Sequence, residues 1–252
     1  MRHLYSSVMK VIALIPARLG ATRFPSKLLA LLKGKSVIRR TYESAVCAGL
    51  FDEVVVVTDS DDILNEVVKH GGRAMKSKGP YESGTDRIAE VAADMDADVF
   101  VNIQGDEPFV QKEPLAQLIN LFKEEDLQVA SLVQLLTDPE LIIDPNYVKV
   151  ALDINNNALF FSRSVIPYPR NAEMSIPYYE HIGVYAFRKK ALLDFTNWPM
   201  TPLEAVEKIE CLRFLEHGVP IRMAITRYMG VEIDTPEDML RAEELMNKNG
   251  WE

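Results

Sequence analysis

The segment VIALIPARLGATRFPSK, residues 11–27, joins an apolar run to a loop that carries glycine, proline and three basic residues. Such an apolar run is typical of a strand that is buried on both faces of a parallel sheet. Open α/β sheets bind their ligands where these strands end and loops begin. Because Arg18, Arg23 and Lys27 lie in that loop, the segment predicts a phosphate site at the end of a strand.

Basic residues are concentrated in this part of an otherwise acidic chain. The first 42 residues contain nine lysines and arginines and no carboxylate, whereas the formal net charge of all 252 residues is −9. The acidic balance argues against non-specific nucleic-acid binding, which needs a broad basic face. A dense local positive charge on an acidic protein indicates a bound polyanion instead.

Length and composition are typical of a globular protein with one domain, here residues 1–252 with residues 1–9 as a flexible extension. No stretch approaches the ~20 apolar residues of a membrane span. The N-terminus also lacks the long apolar core of a signal peptide. We therefore expect a cytoplasmic protein without membrane contact. Cys47 and Cys211 show no metal-type spacing and are predicted to be buried thiols.

Strand and helix signals alternate through the first half of the chain. The predicted strands are Lys10 to Ile15, Glu53 to Thr58, Arg73 to Ser77 and Asp98 to Ile103. The predicted helices follow an N-cap at Ser36, cover Asp61 to His70 and Gly84 to Met95, and begin at Pro114. This βαβαβα succession predicts an α/β fold with a mainly parallel, Rossmann-like sheet flanked by helices.

The second half departs from this alternation. Two strand-like runs, Tyr147 to Asp153 and Ala158 to Ser164, flank a polar turn and predict a β-hairpin. We expect residues of about 147–187 to form an antiparallel insertion that covers a ligand or makes a subunit contact. The later predicted elements are a strand at His181 to Phe187, helices at Lys189 to Asn197 and Leu203 to His217, a strand at Pro220 to Arg227 and a helix from Thr235.

Two acidic segments that are distant in sequence predict a magnesium site. Asp106 and Glu107 follow a buried strand, and Mg²⁺ favours a few carboxylates together with phosphate oxygens of a substrate. A turn that caps the next element is the alternative for this pair. Thr235 is predicted to cap the last helix, which leaves Asp234, just before the cap, free to reach a metal.

Other polar segments allow two interpretations each. The segment 83–87, SGTDR, opens a helix whose N–H groups suit an anion or a base edge, although it also fits ordinary capping. His181 lies in an apolar strand, where a histidine is often a core residue hydrogen-bonded to backbone. Glu207 and Glu210 are three apart on a predicted helix and are expected to be solvated or paired with Arg213.

Six segments stand in the order in which one enzyme family has them: PAR…RFPSK (16–27), SGTDR (83–87), NIQGDEP (102–108), FFSRSVIP (160–167), HIGVY (181–185) and VEIDTPED (231–238). On these motifs the chain resembles, from about Lys10 to Met246, the 3-deoxy-manno-octulosonate (Kdo) cytidylyltransferases, or CMP-Kdo synthetases, of lipopolysaccharide synthesis. Three positions depart from the family pattern, because Ser26 replaces a glycine, Ser36 a proline and Cys211 a glutamine.

The resemblance implies transfer of CMP from CTP to the anomeric hydroxyl of Kdo, with Mg²⁺ as the cofactor, by a homodimer that forms around Asp153 to Tyr178. The residues it implies as catalytic are Arg18, Lys27, Asp106 and Asp234, of which the two aspartates hold Mg²⁺. Those implied for the nucleotide are Pro16, Ala17, Arg18, Arg23, Lys27, Ser83, Gly84, Thr85, Arg87 and Gln104. Those implied for the sugar acid are Arg163, His181, Tyr185 and Glu210.

Three alternatives stay open at this point. A cytidylyltransferase for sialic acid would differ in the sugar acid that it accepts. A nucleotide-sugar glycosyltransferase also uses acidic metal ligands on an α/β sheet, but it releases no pyrophosphate. A nucleotide-sensing module would need a single ligand pocket, and the two distant acidic segments argue against it.

Overall fold

The computed structural model describes residues 9–20, 23–79, 81, 83–171, 173–227 and 230–251. The strands within these residues are β1 (Val11–Ala17), β2 (Leu31–Leu32), β3 (Lys35–Ser36), β4 (Glu53–Thr58), β5 (Ala74–Lys76), β6 (Val99–Asn102), β7 (Val129–Leu136), β8 (Lys149–Leu152), β9 (Ala158–Ser162), β10 (Tyr178–Arg188) and β11 (Ile221–Thr226). The helices are α1 (Val37–Ala48), α2 (Asp61–Lys69), α3 (Gly84–Ala93), α4 (Lys112–Asn120), α5 (Pro139–Ile143), α6 (Lys189–Asn197), α7 (Pro202–Glu207), α8 (Leu212–Glu216) and α9 (Pro236–Asn249), with 3₁₀ turns at Lys27–Leu29 and Leu121–Lys123.

The central sheet has the strand order β11-β7-β10-β6-β1-β4-β5. Strand β1 lies parallel to both of its neighbours, β4 and β6, and β11 lies parallel to β7. Strand β10 runs antiparallel to β6 and β7 in the middle of the sheet. The prediction of a mainly parallel α/β sheet flanked by helices is therefore confirmed.

The core consists of two apolar layers, one on each face of the sheet. All seven residues of β1 are buried, and its side chains alternate between the layers. Val11, Ala13 and Ile15 pack into the layer that contains apolar residues of α1, α4 and α9. Ile12 and Leu14 pack into the layer of α3, α6 and α8. Burial on both faces explains why the sequence of β1 is a continuous apolar run.

The predicted β-hairpin is present as β8 and β9, and β8 also pairs with β10. The Asp153 carboxylate closes its turn by accepting hydrogen bonds from the backbone N–H groups of Asn155 and Asn157, at 2.8 and 2.7 Å. Asn156 takes up the left-handed conformation that the turn needs, with φ of 61°. The predicted extension at residues 1–9 lies outside the described residues except for Met9.

Several boundary predictions were wrong. The helix expected over Leu203 to His217 is two short helices, because α7 ends at Lys208 in the left-handed region, with φ of 57°. The helix expected from Pro114 begins at Lys112, and the proline lies in its first turn, where a missing N–H leaves no hydrogen bond unmade. Strand β7 was not predicted at all.

Two further expectations concern the surface. Cys211 is buried as predicted, whereas Cys47 is exposed because it lies on the outer side of α1, next to the half-exposed Val46. Among the residues described, no helix is both long enough and apolar enough to cross a bilayer.

Candidate active site

The carboxyl ends of β1 and β6 bring the first two predicted segments together. The strands are neighbours and parallel, so their following loops leave the same edge of the sheet. Gly105 allows the loop after β6 to pass against the end of β1, because a Cβ atom there would lie 2.9 Å from the carbonyl oxygen of Pro16. Thr41 holds the same loop by donating its hydroxyl to the Gly105 carbonyl at 2.8 Å. This close approach places Asp106 beside the basic loop.

Asp234 reaches the same place from the distant end of the chain. The backbone N–H of Ile233 donates to the carbonyl oxygen of Asp106 at 2.9 Å, which joins the two acidic segments directly. Helix α9 begins just after them with Thr235 as its N-cap, and Asp238 completes a capping box. The cap therefore uses Thr235 and Asp238, as predicted, and leaves the side chain of Asp234 outside the helix.

Lys27 stands between the two aspartates. Its Nζ lies 2.6 Å from Asp106 Oδ2 and 2.6 Å from Asp234 Oδ1, and Arg23 Nη2 lies 2.6 Å from Asp234 Oδ2. The side chain of Lys27 is 12% exposed and that of Arg23 is 62% exposed. Burial acts to lower the pKa of the Lys27 ammonium, but the two carboxylates outweigh it, first of all Asp106, and raise that pKa above its usual value. Three segments that are far apart in sequence thus meet in one charged contact.

A first cavity, of about 260 Å³, opens around this contact. It is lined by Pro16, Ala17, Arg18, Gly20, Arg23, Lys27, Leu28, Tyr81, Ser83, Gly84, Arg87, Gln104, Gly105, Asp106 and Asp234. Arg18 is exposed on its wall and has no ion-pair partner among the residues that the structure describes. Of the residues predicted for the nucleotide, Thr85 alone is not on this lining.

The segment 83–87 forms the N-terminus of α3 at one side of the first cavity. Ser83 caps the helix by accepting from the backbone N–H of Asp86 at 3.0 Å. Behind the cap, the Thr85 hydroxyl donates to Glu210 Oε1 at 2.7 Å and accepts from the Asn102 amide at 3.3 Å. The Gln104 amide in turn donates to Asn102 at 3.3 Å. One polar network therefore fixes the position of Gln104 relative to the start of α3.

Arg87 is buried and already paired. Its guanidinium donates to the Ser77 hydroxyl at 2.6 Å and contacts the Asp59 carboxylate at 3.2 Å. Only 3% of the residue is exposed. Arg87 thus borders the first cavity while it ties α3 to the segments that follow β4 and β5.

A second cavity, of about 530 Å³, adjoins the first at Arg23 and Asp234. Polar side chains on its wall include Glu107, Gln134, Asn146, Glu180, His181, Glu232 and Arg241. Gln134 donates to Glu180 Oε2 at 2.7 Å. Burial, and then the nearby carboxylates of Asp106 and Glu180, raise the pKa of the Glu107 carboxyl to about 8. This wall is therefore rich in acceptors and poor in cations.

The four residues predicted for the sugar acid are only partly brought together. The ring of His181 lines the second cavity and lies 5.2 Å from the ring of Tyr185. Tyr185 is 5% exposed, shares a hydrogen bond with the Cys211 thiol, and lines neither cavity. Glu210 bonds to Thr85 behind the first cavity. Arg163 stands apart, because it donates to the carbonyls of Glu207 and Pro145 at 2.8 and 2.9 Å.

The expected pairing of Glu207 or Glu210 with Arg213 was wrong. Arg213 forms a buried, bidentate ion pair with Glu204 instead, at 2.5 and 2.8 Å. Glu207 accepts from the Ser162 hydroxyl at 2.7 Å and from the Arg163 backbone. The break between α7 and α8 turns these carboxylates away from the single helix face that their spacing suggested.

The acidic contact fits a divalent cation by the chemistry of its donors. One carboxylate oxygen from each of Asp106, Glu232 and Asp234 lies within 4.8 Å of the others. Hard oxygen donors are the ligands that Mg²⁺ prefers. The ammonium group of Lys27, held by both aspartates, shows that this position stabilises a positive charge.

Sequence reasoning missed most of the second cavity. Gln134 belongs to the strand that was not predicted, and Glu180 lies one residue before the predicted start of its strand at His181. Glu107 and Glu232 stand inside segments that were singled out, next to or two residues from the predicted metal ligands. Their position in those segments was the signal that could have found them.

The environment of His181 predicts acid sensitivity of the fold. Burial lowers the pKa of its imidazole to about 3, and the Ser131 hydroxyl, which donates to Val184 at 2.9 Å, receives the Nε2 proton of His181 at 3.1 Å. An unfolded histidine binds a proton below about pH 6.5, whereas this folded one stays neutral until about pH 3. The free energy of unfolding should therefore fall as the pH drops through this window.

Comparison with His181→Phe isolates this contribution. From pH 7 to pH 5 we expect the wild-type protein to lose about 2 kcal/mol more unfolding free energy than the variant. Urea titrations at each pH measure the difference. Parallel pH profiles for the two proteins would contradict the neutral, buried state of His181.

The comparisons with known proteins agree with one another. The model of a family described as cytidylyltransferase matches residues 12–225. The chain is 53% identical to the 3-deoxy-manno-octulosonate cytidylyltransferase of Flavobacterium johnsoniae, over 94% of this chain and 99% of the relative. It is 42% identical to the protein of the same name from Bacteroides thetaiotaomicron, over 94% of this chain and 98% of the relative.

Solved structures share the fold. A CMP:2-keto-3-deoxy-manno-octonic acid synthetase complexed with CTP superimposes with a TM-score of 0.90 at 36% identity, covering 95% of this chain and 99% of the other. A 4-diphosphocytidyl-2C-methyl-D-erythritol synthase from Anaerococcus prevotii has a TM-score of 0.63 at 18% identity, with 95% and 99% coverage, and shows the fold alone. The chain therefore belongs to the cytidylyltransferase family and, within it, to the 3-deoxy-manno-octulosonate cytidylyltransferases.

Proposed function

We propose that the protein transfers CMP from CTP to the anomeric hydroxyl of Kdo, forming CMP-Kdo and pyrophosphate for lipopolysaccharide synthesis. The contact of Lys27 with Asp106 and Asp234 carries the proposal. It brings a lysine, which can bind phosphate, and two aspartates, which can bind a metal ion, to the junction of two cavities. A junction of this kind suits a reaction between two substrates. We assign the reaction to the cytoplasm, where CTP is available.

CTP would bind in the first cavity. Arg18, Arg23 and Lys27 would hold its phosphates, because arginine can grip a phosphate with two donors while lysine serves as a mobile charge. The cytidine would lie against Pro16, Ala17 and the helix start of α3, whose exposed N–H groups and Gln104 amide offer donors. In this arrangement Arg87 acts mainly by holding α3 in place through Asp59.

Kdo would bind in the second cavity, whose volume of about 530 Å³ accommodates a small sugar acid. Its many acceptors suit the hydroxyl groups of a sugar. His181, with the ring of Tyr185 behind it, would shape the inner wall, whereas Glu210, bonded to Thr85 behind the first cavity, would act on the nucleotide side. Arg163 would need to leave its backbone partners in order to reach the sugar carboxylate.

The chemistry is one in-line displacement. The anomeric oxygen of Kdo forms a bond to the α-phosphorus of CTP, the bond from that phosphorus to the bridging oxygen of the β-phosphate breaks, and the hydroxyl proton passes to solvent. Lys27 and Arg18 would stabilise the charge on the departing pyrophosphate, and the cavity walls would hold the two substrates in line. Mg²⁺, held by Asp106 and Asp234, would supply charge neutralisation and lower the pKa of the attacking hydroxyl.

A homodimer is part of the proposal. The hairpin of β8 and β9 and the segment that leads to β10 expose apolar side chains, among them Ile154 at 99% and Tyr168 at 83% exposure. Exposed apolar surface of this kind is typical of protein contacts. Sedimentation equilibrium should give twice the chain mass, and a monomer at micromolar concentration would contradict this part of the proposal.

The network behind the first cavity predicts a selective effect on CTP. Thr85→Val keeps the side-chain shape but removes the hydroxyl that joins Glu210 to Asn102. Loss of a hydrogen bond to a charged group costs about 1.5 kcal/mol, so we expect roughly a tenfold rise in the KM for CTP. The KM for Kdo should change less than twofold. Steady-state kinetics measure both values, and an unchanged KM for CTP would reject the positioning role of Thr85.

A substrate panel tests the proposed function. The protein is incubated with Mg²⁺ and either CTP, UTP or ATP, together with Kdo or sialic acid, and pyrophosphate release is measured. We expect rapid pyrophosphate release only from the pair of CTP and Kdo. Release with sialic acid and not Kdo would identify the rival cytidylyltransferase, and the absence of release from every pair would reject nucleotidyl transfer to these sugar acids.

A further inference from the structure

Four carboxylates crowd the junction of the two cavities. Asp106 and Asp234 face Lys27, while Glu107 and Glu232 lie on the wall of the second cavity. The described cations in direct contact with this group are Lys27 and Arg23. Two cations therefore face four acidic side chains at the junction.

Glu232 belongs to the same cluster as the two aspartates. One of its carboxylate oxygens lies within 4.8 Å of an oxygen from each of Asp106 and Asp234. No hydrogen bond or ion pair holds the Glu232 side chain among the residues that the structure describes. The side chain is thus placed beside the aspartates and remains available to a ligand.

Glu107 gives an independent indication of a ligand at this wall. The residue is 6% exposed, yet its carboxylate accepts no hydrogen bond from any residue in the described ranges. A buried carboxyl group without a protein partner leaves its hydrogen-bonding capacity unused, so one that lines a cavity indicates a cationic or hydrogen-bonding ligand there. Glu107 stands next to Asp106, and Gln134 and Glu180 line the same cavity.

We propose that Glu232 is a third carboxylate ligand of the divalent cation and that Glu107, on the wall of the second cavity next to Asp106, supports the site when the cation draws off its proton. The catalytic use of the cation rests on the proposed function, whereas the binding of the cation does not. Two aspartates alone would need substrate phosphate oxygens to complete a Mg²⁺ site. Three carboxylate ligands, with Glu107 close by, bind a divalent cation before the nucleotide arrives.

Lys27 competes with the cation in this arrangement, because its ammonium group contacts both aspartates at 2.6 Å. Cation uptake must therefore displace Lys27, which is then free to bind phosphate. Removal of the side chain in Lys27→Ala should strengthen cation binding to the nucleotide-free protein, since the competing charge is gone. Cation affinity should therefore rise in this variant, whereas its catalytic activity should fall.

Mn²⁺ titration of the full-length, nucleotide-free protein, followed by electron paramagnetic resonance, tests the inference. We expect the wild type to bind one Mn²⁺, Glu232→Gln to bind it about tenfold more weakly, and Glu107→Gln to show a smaller loss. Glu237→Gln is the matched control, because it removes the same charge from an exposed position three residues after Asp234. It should bind Mn²⁺ within twofold of the wild type.

Two results would overturn the inference: Mn²⁺ affinity in Glu232→Gln equal to that of the wild type, or no Mn²⁺ binding by the wild type without nucleotide. Thermal melting of each variant separates a loss of ligand from a loss of fold. Failure here leaves the proposed function intact if CTP and Kdo still yield pyrophosphate. Failure of the substrate panel with normal Mn²⁺ binding would reject the function and keep the cation site.

Discussion

Asp106→Asn is expected to reduce CMP-Kdo formation by about 10³-fold at saturating Mg²⁺, with the fold intact. The substitution keeps the shape of the side chain but removes the charge at the point where Lys27 and the segment of Asp234 meet. Loss of one electrostatic contact of this kind costs roughly 10²–10³ in turnover, and loss of a metal ligand adds to it. Pyrophosphate release with both substrates saturating measures the effect.

The control for this prediction is Asp126→Asn. Asp126 is exposed in the loop before β7, away from both cavities, so its variant loses the same charge without touching the site. It should turn over at the wild-type rate. Wild-type turnover by Asp106→Asn would refute the assignment of Asp106, whereas a matching loss in both variants would point to a general effect of charge.

Lys27→Ala is expected to lower kcat/KM for CTP by about 10²-fold. The reason is that its ammonium group lines the first cavity, is 12% exposed and lies 2.6 Å from a carboxylate oxygen of each aspartate. Kdo binding, measured by calorimetry, should change much less because the second cavity does not include Lys27. Lys123→Ala, which removes an exposed lysine after α4, serves as the control.

Retention of charge provides a second comparison. Lys27→Arg should recover part of the lost activity, since a guanidinium group also binds phosphate. Equal use of CTP by the wild type and Lys27→Ala would contradict the phosphate-binding role of this residue. Equal losses for CTP and Kdo would instead indicate that Lys27 holds the junction together.

The sequence predicted well those elements that are buried on both sides. Strand β4 was predicted with its observed bounds because its β-branched run is buried in both layers. Strand β7 was missed although its first five residues are all buried, because the segment LFKEEDLQ before it, residues 121–128, contains neither glycine nor proline to mark a turn. The break at Lys208 left no sequence signal, since the residue is neither glycine nor asparagine.

The residues of the site also differ in whether the sequence could predict them. Lys27 and Asp106 could be predicted from the rule that ligands bind at strand ends, and Asp234 from its position just outside a helix cap. The partner of Glu210 could not, because helical spacing placed Glu210 on a solvated face and only the break before α8 brings it to Thr85. The paired state of Arg87 also depends on Asp59, 28 residues away, which no motif indicated.

The central claim is that the anomeric oxygen of Kdo attacks the α-phosphorus of CTP at this junction. Phosphorus NMR of CTP with Kdo that carries ¹⁸O in its anomeric hydroxyl follows that bond directly. We expect equal amounts of CMP-Kdo and pyrophosphate, with the label in the oxygen that bridges sugar and phosphorus. Formation of CDP and phosphate, or CMP-Kdo without the label in the bridge, would contradict it.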